Sequence, residues 1–445
     1  MSRYTRRMYR LRTPRPAAAL AGTLMLLTIL AGCDGLAYVV QAAQGQAHVQ
    51  GNLESIDDVL ASGRLSDEDA TKLRLAVQAR DFAADVLGLR VGSSYTSFYD
   101  SAGDPLAWNL SAARPDALEP KTWTFPLVGE VPYLSFFDED FLHRIEQQLQ
   151  DEGYDTLIYE LDAYSTLGIF EDPIRSTMLR RGPLSLVETI IHELLHNTIW
   201  RPNDTEFNES LATFVGRKGA VEFLRAELGA DSGWPEVAVA FYADTDTVNA
   251  FLMQLYADLA AHYGQELATD EKIAGREAVF QAARTRFVRD VQPTLYFPDS
   301  FAGYAELPTN NAWVLGNYRY NLNLDVFGAV FAAVGGEWSA ALEVFRAAAQ
   351  AGEEPLAYLR RWLEEHSAAG GASARRVEPQ VVLQLRVQRG GDDVEEPVDN
   401  RLTGQIQASA GREERQRQRD RDGRATFTCA AIGDRRVHGR IVARR

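Results

Sequence analysis

The run Ile190-Ile191-His192-Glu193-Leu194-Leu195-His196 places two histidines four positions apart, with a glutamate beside the first. On a helix that spacing stacks both imidazoles on one face, a turn apart, so that both can meet a single ion. Glu193 projects about 100° around the helix from His192, close enough to reach a water molecule on such an ion. The chemistry this pattern offers is metal-assisted hydrolysis, and zinc is the ion it suits. Only seven histidines occur in 445 residues, and two of them fall here. Ile190, Ile191, Leu194 and Leu195 are apolar and predict a buried helix, in which two histidines and a glutamate without a common partner would be costly.

A hydrolytic zinc site needs a third protein ligand and an open fourth position. Downstream, DTEFNESLATFV offers Glu206 and Glu209, the latter thirteen residues beyond His196 and near the start of a second helix. A turn at residues 201–204 lets that helix fold back on the first. The segment NESLATFV resembles the glutamate-zincin motif, in which Asn-Glu opens the second helix and the Glu binds zinc; this resemblance selects Glu209. The gap after the second histidine is shorter than in the best-known members of that group, so the connecting loop must be tight.

The resemblance extends further. AYSTLGIFEDPIRSTML, IIHELLHNTIW, FNESLATFVG and TNNAWVLGNYRYNLNLDVF, with GLAYVVQAAQGQ after Cys33, resemble a family of bacterial lipoproteins described as aminopeptidases, over roughly residues 33–365. It implies a zincin-like fold and one Zn2+ ion held by His192, His196 and Glu209. Glu193 would then be the general base, taking a proton from the attacking water and passing it to the leaving amine. It also implies an edge strand above the active-site helix that pairs with the substrate backbone, for which residues 163–168 are the candidate. Such enzymes steady the oxyanion with a side-chain donor; Tyr320 is preferred over Tyr318 and Tyr164. Asn310-Asn311 resembles a family signature too, although paired asparagines also serve as turn and capping residues. His143 and His262 lie in amphipathic helical stretches and read as surface histidines.

The elements that must position this site follow from pattern. Residues 35–50 are helix-compatible, and helical segments continue to about residue 89. Residues 91–124, with scattered Gly, Pro, Ser and aromatics, read as strands and loops, and 126–137 as extended. Phe141, Leu142, Ile145 and Leu149 make 138–152 an amphipathic helix ended by Gly153. Residues 156–170 look like one or two strands, broken at Asp172-Pro173. Ser185 with Glu188 three positions on is a capping-box pattern for the start of the HExxH helix, which runs to about Ile199. The second helix is expected over 207–228, with further helix over 247–290 and 310–365.

Outside this region the chain changes character. Residues 1–32 carry only positive charges, from Arg3 to Arg15, followed by the apolar run 17–30. That run is too short to span a hydrocarbon core of about 30 Å comfortably. It leads into Leu30-Ala31-Gly32-Cys33, which resembles a lipobox, with Cys33 as the lipidated residue. Asp34 weakly favours inner-membrane retention of a protein anchored on the periplasmic face. Cys429 is the other cysteine and reads as a buried strand residue, so no disulfide within the chain is expected. After Gly370-Gly371, short apolar strands alternate with charged linkers, as in a small β module. The net charge of -16, with arginine concentrated at both ends, makes the middle strongly acidic and argues against a nucleic-acid partner.

These readings combine into an α+β architecture: a lipoprotein signal peptide (1–32), a zincin-like, mostly helical catalytic domain with a small antiparallel sheet (33–370), and a β-rich module (371–445). The expected activity is zinc-dependent peptide bond hydrolysis in the bacterial cell envelope, by an aminopeptidase first. An endopeptidase, or a non-catalytic metal-binding lipoprotein with a protein partner, are the alternatives.

Overall fold

The computed structural model describes residues 33–125, 129–161, 166, 170–318 and 323–369. The expected signal peptide and β module, with Cys429, lie outside the described residues. So do Tyr320, Tyr164 and, apart from Thr166, the segment 163–168.

Helix α1 (Cys33–Gly51) starts on the expected lipid-bearing residue and leads through β1 (Glu54–Ser55) into α2 (Ile56–Ser62) and α3 (Asp67–Asp85). The extended region contains β2 (Ser97–Tyr99), β3 (Ala107–Ala113), β4 (Trp123–Phe125), β5 (Gly129–Val131) and β6 (Leu134–Phe136). Helix α4 (Glu139–Asp151) has Asp138 as its cap, the carboxylate accepting from Phe141 N, and buries Phe141, Leu142 and Leu149 as their spacing requires. It is followed by β7 (Asp155–Leu161), β8 (Ile174–Arg175) and a short 3₁₀ turn (Ser176–Arg180).

The HExxH helix is α5 (Pro183–Thr198), and α6 (Thr205–Leu228) returns against it. The start of α5 departs from the capping-box expectation. Pro183 occupies the first turn, Gly182 is the cap residue, and no side chain caps the helix. Proline sets the helical φ in advance and lacks an N–H to satisfy there, so Ser185 is left inside the first turn. Beyond α6 come α7 (Trp234–Tyr263), which starts well before residue 247 because Pro235 opens it, and α8 (Thr269–Arg286). Then follow α9 (Asn311–Tyr318), α10 (Leu324–Ala333), α11 (Trp338–Gln350) and α12 (Pro355–Ala369). Among the described residues no helix is long and apolar enough to cross a membrane.

The strands are divided differently from a single antiparallel sheet beside the HExxH helix. An antiparallel sheet in the order β6-β3-β7 is held by a seven-residue register from Ala107↔Leu161 to Ala113↔Asp155. Its apolar face shares a core with α4. The strands that share the core of α5 are instead β2 and β8, which pair in parallel (Phe98↔Ile174, Tyr99↔Arg175) within a small mixed sheet, β1-β2-β8. β4 and β5 form a separate ribbon.

The main core joins α3, α5, α6, α10 and α11, with Ile190, Ile191, Leu194 and Leu195 all fully buried. Each such side chain contributes roughly 1.5–3 kcal/mol of burial. A second core lies between α7 and α8 and takes in Val314 of α9. Asn310 and Asn311 tie this half to the sheet. The Asn310 side chain accepts from Trp313 N as a cap, and Asn311, fully buried, donates to the Arg114 and Ala117 carbonyls and accepts from the Tyr263 hydroxyl.

Candidate metal centre

The close packing of α5 and α6 builds the site. Gly216 makes it possible, since a Cβ there would stand 3.1 Å from the Glu188 carbonyl oxygen and 3.3 Å from His192 Cβ. The connection between the two helices is short, as the spacing demanded. Asp204 caps α6 by accepting from Phe207 N. Asn208 closes the loop from within the helix, accepting from Arg201 N at 2.9 Å and donating to Arg201 O at 2.7 Å. Its neighbour Glu209 is thereby turned toward α5.

His192, His196 and Glu209 form a group whose ligand-type atoms all lie within 4.8 Å of one another. Glu209 Oε2 is 3.2 Å from His192 Nε2 and 3.8 Å from His196 Nε2. In a tetrahedral site with bonds of about 2.0–2.2 Å, neighbouring ligand atoms stand about 3.3–3.6 Å apart, so these separations bracket what an ion requires. Side-chain exposures of 15% for His192, 6% for His196 and 9% for Glu209 leave the group largely buried, with His192 the most accessible of the three. Glu206, the competing candidate, is exposed on α6 and is not part of the group.

The electrostatics suit ligation. Burial pulls the His196 imidazole down to about 4, against the attraction of Glu209, so the ring is neutral at physiological pH and its lone pair is available to a metal. Burial also disfavours charge on His192, but the Glu209 hydrogen bond and the Glu193, Glu209 and Glu188 carboxylates outweigh it and raise its pKa. Burial pushes the Glu193 carboxyl up to about 7, with the His192 charge opposing and Glu209 reinforcing. A carboxyl near neutrality is well matched to proton transfer. Behind His192, one turn earlier on α5, Glu188 accepts from the Tyr242 hydroxyl at 3.1 Å and lies 3.5 Å from Arg217 Nε.

A family described as "Putative aminopeptidase" matches residues 37–356, more than two thirds of the chain. The chain belongs to that family. No curated protein and no solved structure matches it. In this member of the aminopeptidase family the matched span runs from α1 to the first turn of α12 and includes the whole α5–α6 pair.

Several residues near the centre escaped sequence reasoning. Tyr95, Asp172 and Arg175 are all buried, and their charges or dipoles act on Glu193 or on each other. Asp172 accepts from the Ser94 hydroxyl and from Thr166 N, and Asn197, next to His196, donates to Ser94 Oγ at 3.1 Å. One signal was available in the sequence: Arg175 stands in the otherwise apolar or neutral run PIRSTML, where an exposed strand would carry more charge. Nothing local marked Tyr95. Of the tyrosines proposed as oxyanion donors, Tyr318 stacks on Tyr256 with ring centroids 4.2 Å apart. Its hydroxyl is raised by burial first, then by Tyr256 and Glu206, which places the end of α9 near the start of α6. His143 is exposed beside Glu146, and His262 bonds to the Lys272 carbonyl; neither approaches the group.

Proposed function

We propose that the chain is a zinc-dependent aminopeptidase anchored as a lipoprotein, through Cys33, on the periplasmic face of a bacterial membrane. The observation that carries the metal chemistry is the convergence of His192, His196 and Glu209 within 4.8 Å. Peptide as the substrate class follows from the family, and the anchor from the lipobox ahead of α1.

His192, His196 and Glu209 would hold the ion. When bound, zinc polarises the scissile carbonyl and lowers the pKa of water toward about 7. Glu193 takes the proton of the attacking water on a carboxylate oxygen. The water oxygen bonds to the carbonyl carbon, the C–N bond breaks, and Glu193 returns the proton to the leaving nitrogen. The surrounding apolar side chains exclude bulk solvent and strengthen each of these interactions.

The test uses protein lacking residues 1–32, assayed on aminoacyl substrates and on N-terminally blocked, internally quenched peptides with its metal content measured in parallel. Glu193→Gln is expected to keep zinc and lose turnover by about 10²–10⁴-fold. Glu209→Ala is expected to lose zinc, whereas Glu206→Ala keeps it. Hydrolysis confined to aminoacyl substrates supports the aminopeptidase. Cleavage of blocked peptides assigns an endopeptidase instead, and wild-type turnover in Glu193→Gln overturns the role of Glu193.

A further inference from the structure

Helix α1 turns toward solvent a face that surface helices do not ordinarily carry. Such helices place charged and polar residues outward, and 24% of this chain is charged. From residue 35 to residue 53, however, there is no Asp, Glu, Lys or Arg. The inward side of α1 is fully engaged. Ala37 and Tyr38 pack on the sheet core, Val49 is buried, and Gln41 donates to the Ser135 carbonyl and accepts from Phe137 N. The outward side carries Val39 and Val40, 42% and 44% exposed, with exposed Ala43 and Ala47 one and two turns beyond Val39. Phe170, 47% exposed, joins Val39 in lining an apolar groove of about 670 Å³, to which the β4–β5 ribbon contributes Phe125 and Val131. Contiguous exposed apolar surface of this kind marks an interaction site.

The start of α1 points to what covers this face. Cys33 is both the residue read as lipid-bearing and the first residue of the helix, so no linker separates the anchor from the fold. The helix is also fastened to the body of the domain, through Gln41 at its middle and through Gln50, which donates to the Glu171 carbonyl at 2.7 Å, at its end. Val40 is seven residues from Cys33, about 10.5 Å along the axis, and the headgroup layer on each side of the hydrocarbon is about 5–7 Å deep. A lipid on Cys33 therefore holds the outward face of α1 within reach of the bilayer surface. The charge balance agrees. A chain of net charge -16 is repelled by anionic headgroups, and an uncharged face is where close approach costs least. We propose that the outward face of α1, with Val39, Val40 and Phe170 as its apolar contacts, is a membrane-docking surface that beds into the headgroup region beside Cys33 and fixes how the catalytic domain stands on the bilayer. This rests on the reading of Cys33 as the lipid anchor.

The test uses the lipidated full chain carrying Cys429→Ser, reconstituted in phosphatidylcholine vesicles, with a fluorophore attached through Val40→Cys. Val239→Cys is the reference, because Val239 is 52% exposed on α7 and its neighbours Val237 and Ala238 pack in the main core, to which α1 does not contribute. The fluorophore at position 40 is expected to shift to shorter wavelength, to be quenched by nitroxide-bearing lipid and to lose most of its quenching by aqueous iodide. At position 239 iodide quenching is expected to stay complete. Equal iodide quenching at the two positions overturns the proposal. Shielding of position 40 without vesicles, in a protein that sediments as a dimer, assigns the face to a second copy of the chain and overturns it as well. Mass spectrometry of Cys33 tests the anchor separately. If Cys33 carries no lipid, the anchor reading falls by itself, and the decision passes to protein lacking residues 1–32 with Cys33→Ser, Cys429→Ser and Val40→Cys, mixed with the same vesicles. A spectral shift on lipid then upholds the docking surface, and an unchanged spectrum overturns it.

Discussion

Gly216 is the position where a single methyl group tests how the candidate metal centre is assembled. In an unconstrained helix Gly→Ala stabilises by about 1 kcal/mol. Here the added Cβ would lie 3.1 Å from the Glu188 carbonyl oxygen, 3.3 Å from His192 Cβ and 3.4 Å from Glu188 Cγ, so its neighbours must give by a few tenths of an ångström. Two of these three contacts are to atoms fixed to the α5 backbone, which cannot rotate away, and such overpacking costs about 1–3 kcal/mol. The balance is a metal-free protein between unchanged and about 2 kcal/mol less stable. The larger effect falls on the ion. Glu209 is seven residues earlier on the same helix, about 10.5 Å along its axis, so parting the helices shifts its carboxylate relative to His192 and His196. Metal–ligand distances tolerate about ±0.2 Å, comparable to the required displacement, and a tenfold loss of zinc affinity, about 1.4 kcal/mol, is expected. Competition against a chromophoric chelator measures the affinity, and denaturant melts of metal-free protein measure the stability. Gly219→Ala is the control. Its Cβ meets the ends of the Leu87 and Ile191 side chains, at 2.8 and 3.1 Å, which can repack, so stability changes while zinc affinity holds. Wild-type zinc affinity in Gly216→Ala, with the full helix-propensity gain in stability, would refute the close-approach argument.

Asn208→Ala removes both bonds to the Arg201 backbone from a residue that is 2% exposed. It is expected to destabilise by about 2–3 kcal/mol and to weaken zinc binding through the neighbouring Glu209; a change within about 0.5 kcal/mol in urea melts would contradict this. Asp155→Asn breaks the two-point pairing with Arg276, whose side chains are 13% and 12% exposed, and weakens the bond from Asn311 N. The expected cost is about 3–5 kcal/mol, read from the same melts, and a loss below about 1 kcal/mol would show that the pair does not hold the helical half to the sheet.

What could be read without coordinates was local. The helices α4, α5 and α6 announced themselves because their apolar residues repeat with the helical period over several turns, and the histidine spacing is meaningful only on such a helix. Even the tightness of the loop before Glu209 followed from counting residues. Local pattern misled at Ser185, where Pro183 two residues earlier starts the helix instead, and at the sheets. β1, β2 and β8 are two or three residues long, too short for an alternating pattern to show, so their pairing and the parallel β2–β8 contact had no signature in the chain.

By itself the amino-acid order determined which residues sit on one face of α5, that its flanks are buried, and that an acidic residue of the next helix is the candidate third ligand. The resemblance favours Glu209 over Glu206, and tertiary packing is what brings Glu209 to the histidines. Glu206 and Glu209 are one turn apart on α6, and only the approach permitted by Gly216 and the loop closed by Asn208 settle which of them turns toward the histidines. The same holds for Tyr95, Asp172 and Arg175, which come from segments 18 to 98 residues before Glu193. Dehydration raises the Glu193 carboxyl and leaves the Tyr95 hydroxyl without a partner, and it exists only once those segments close over α5.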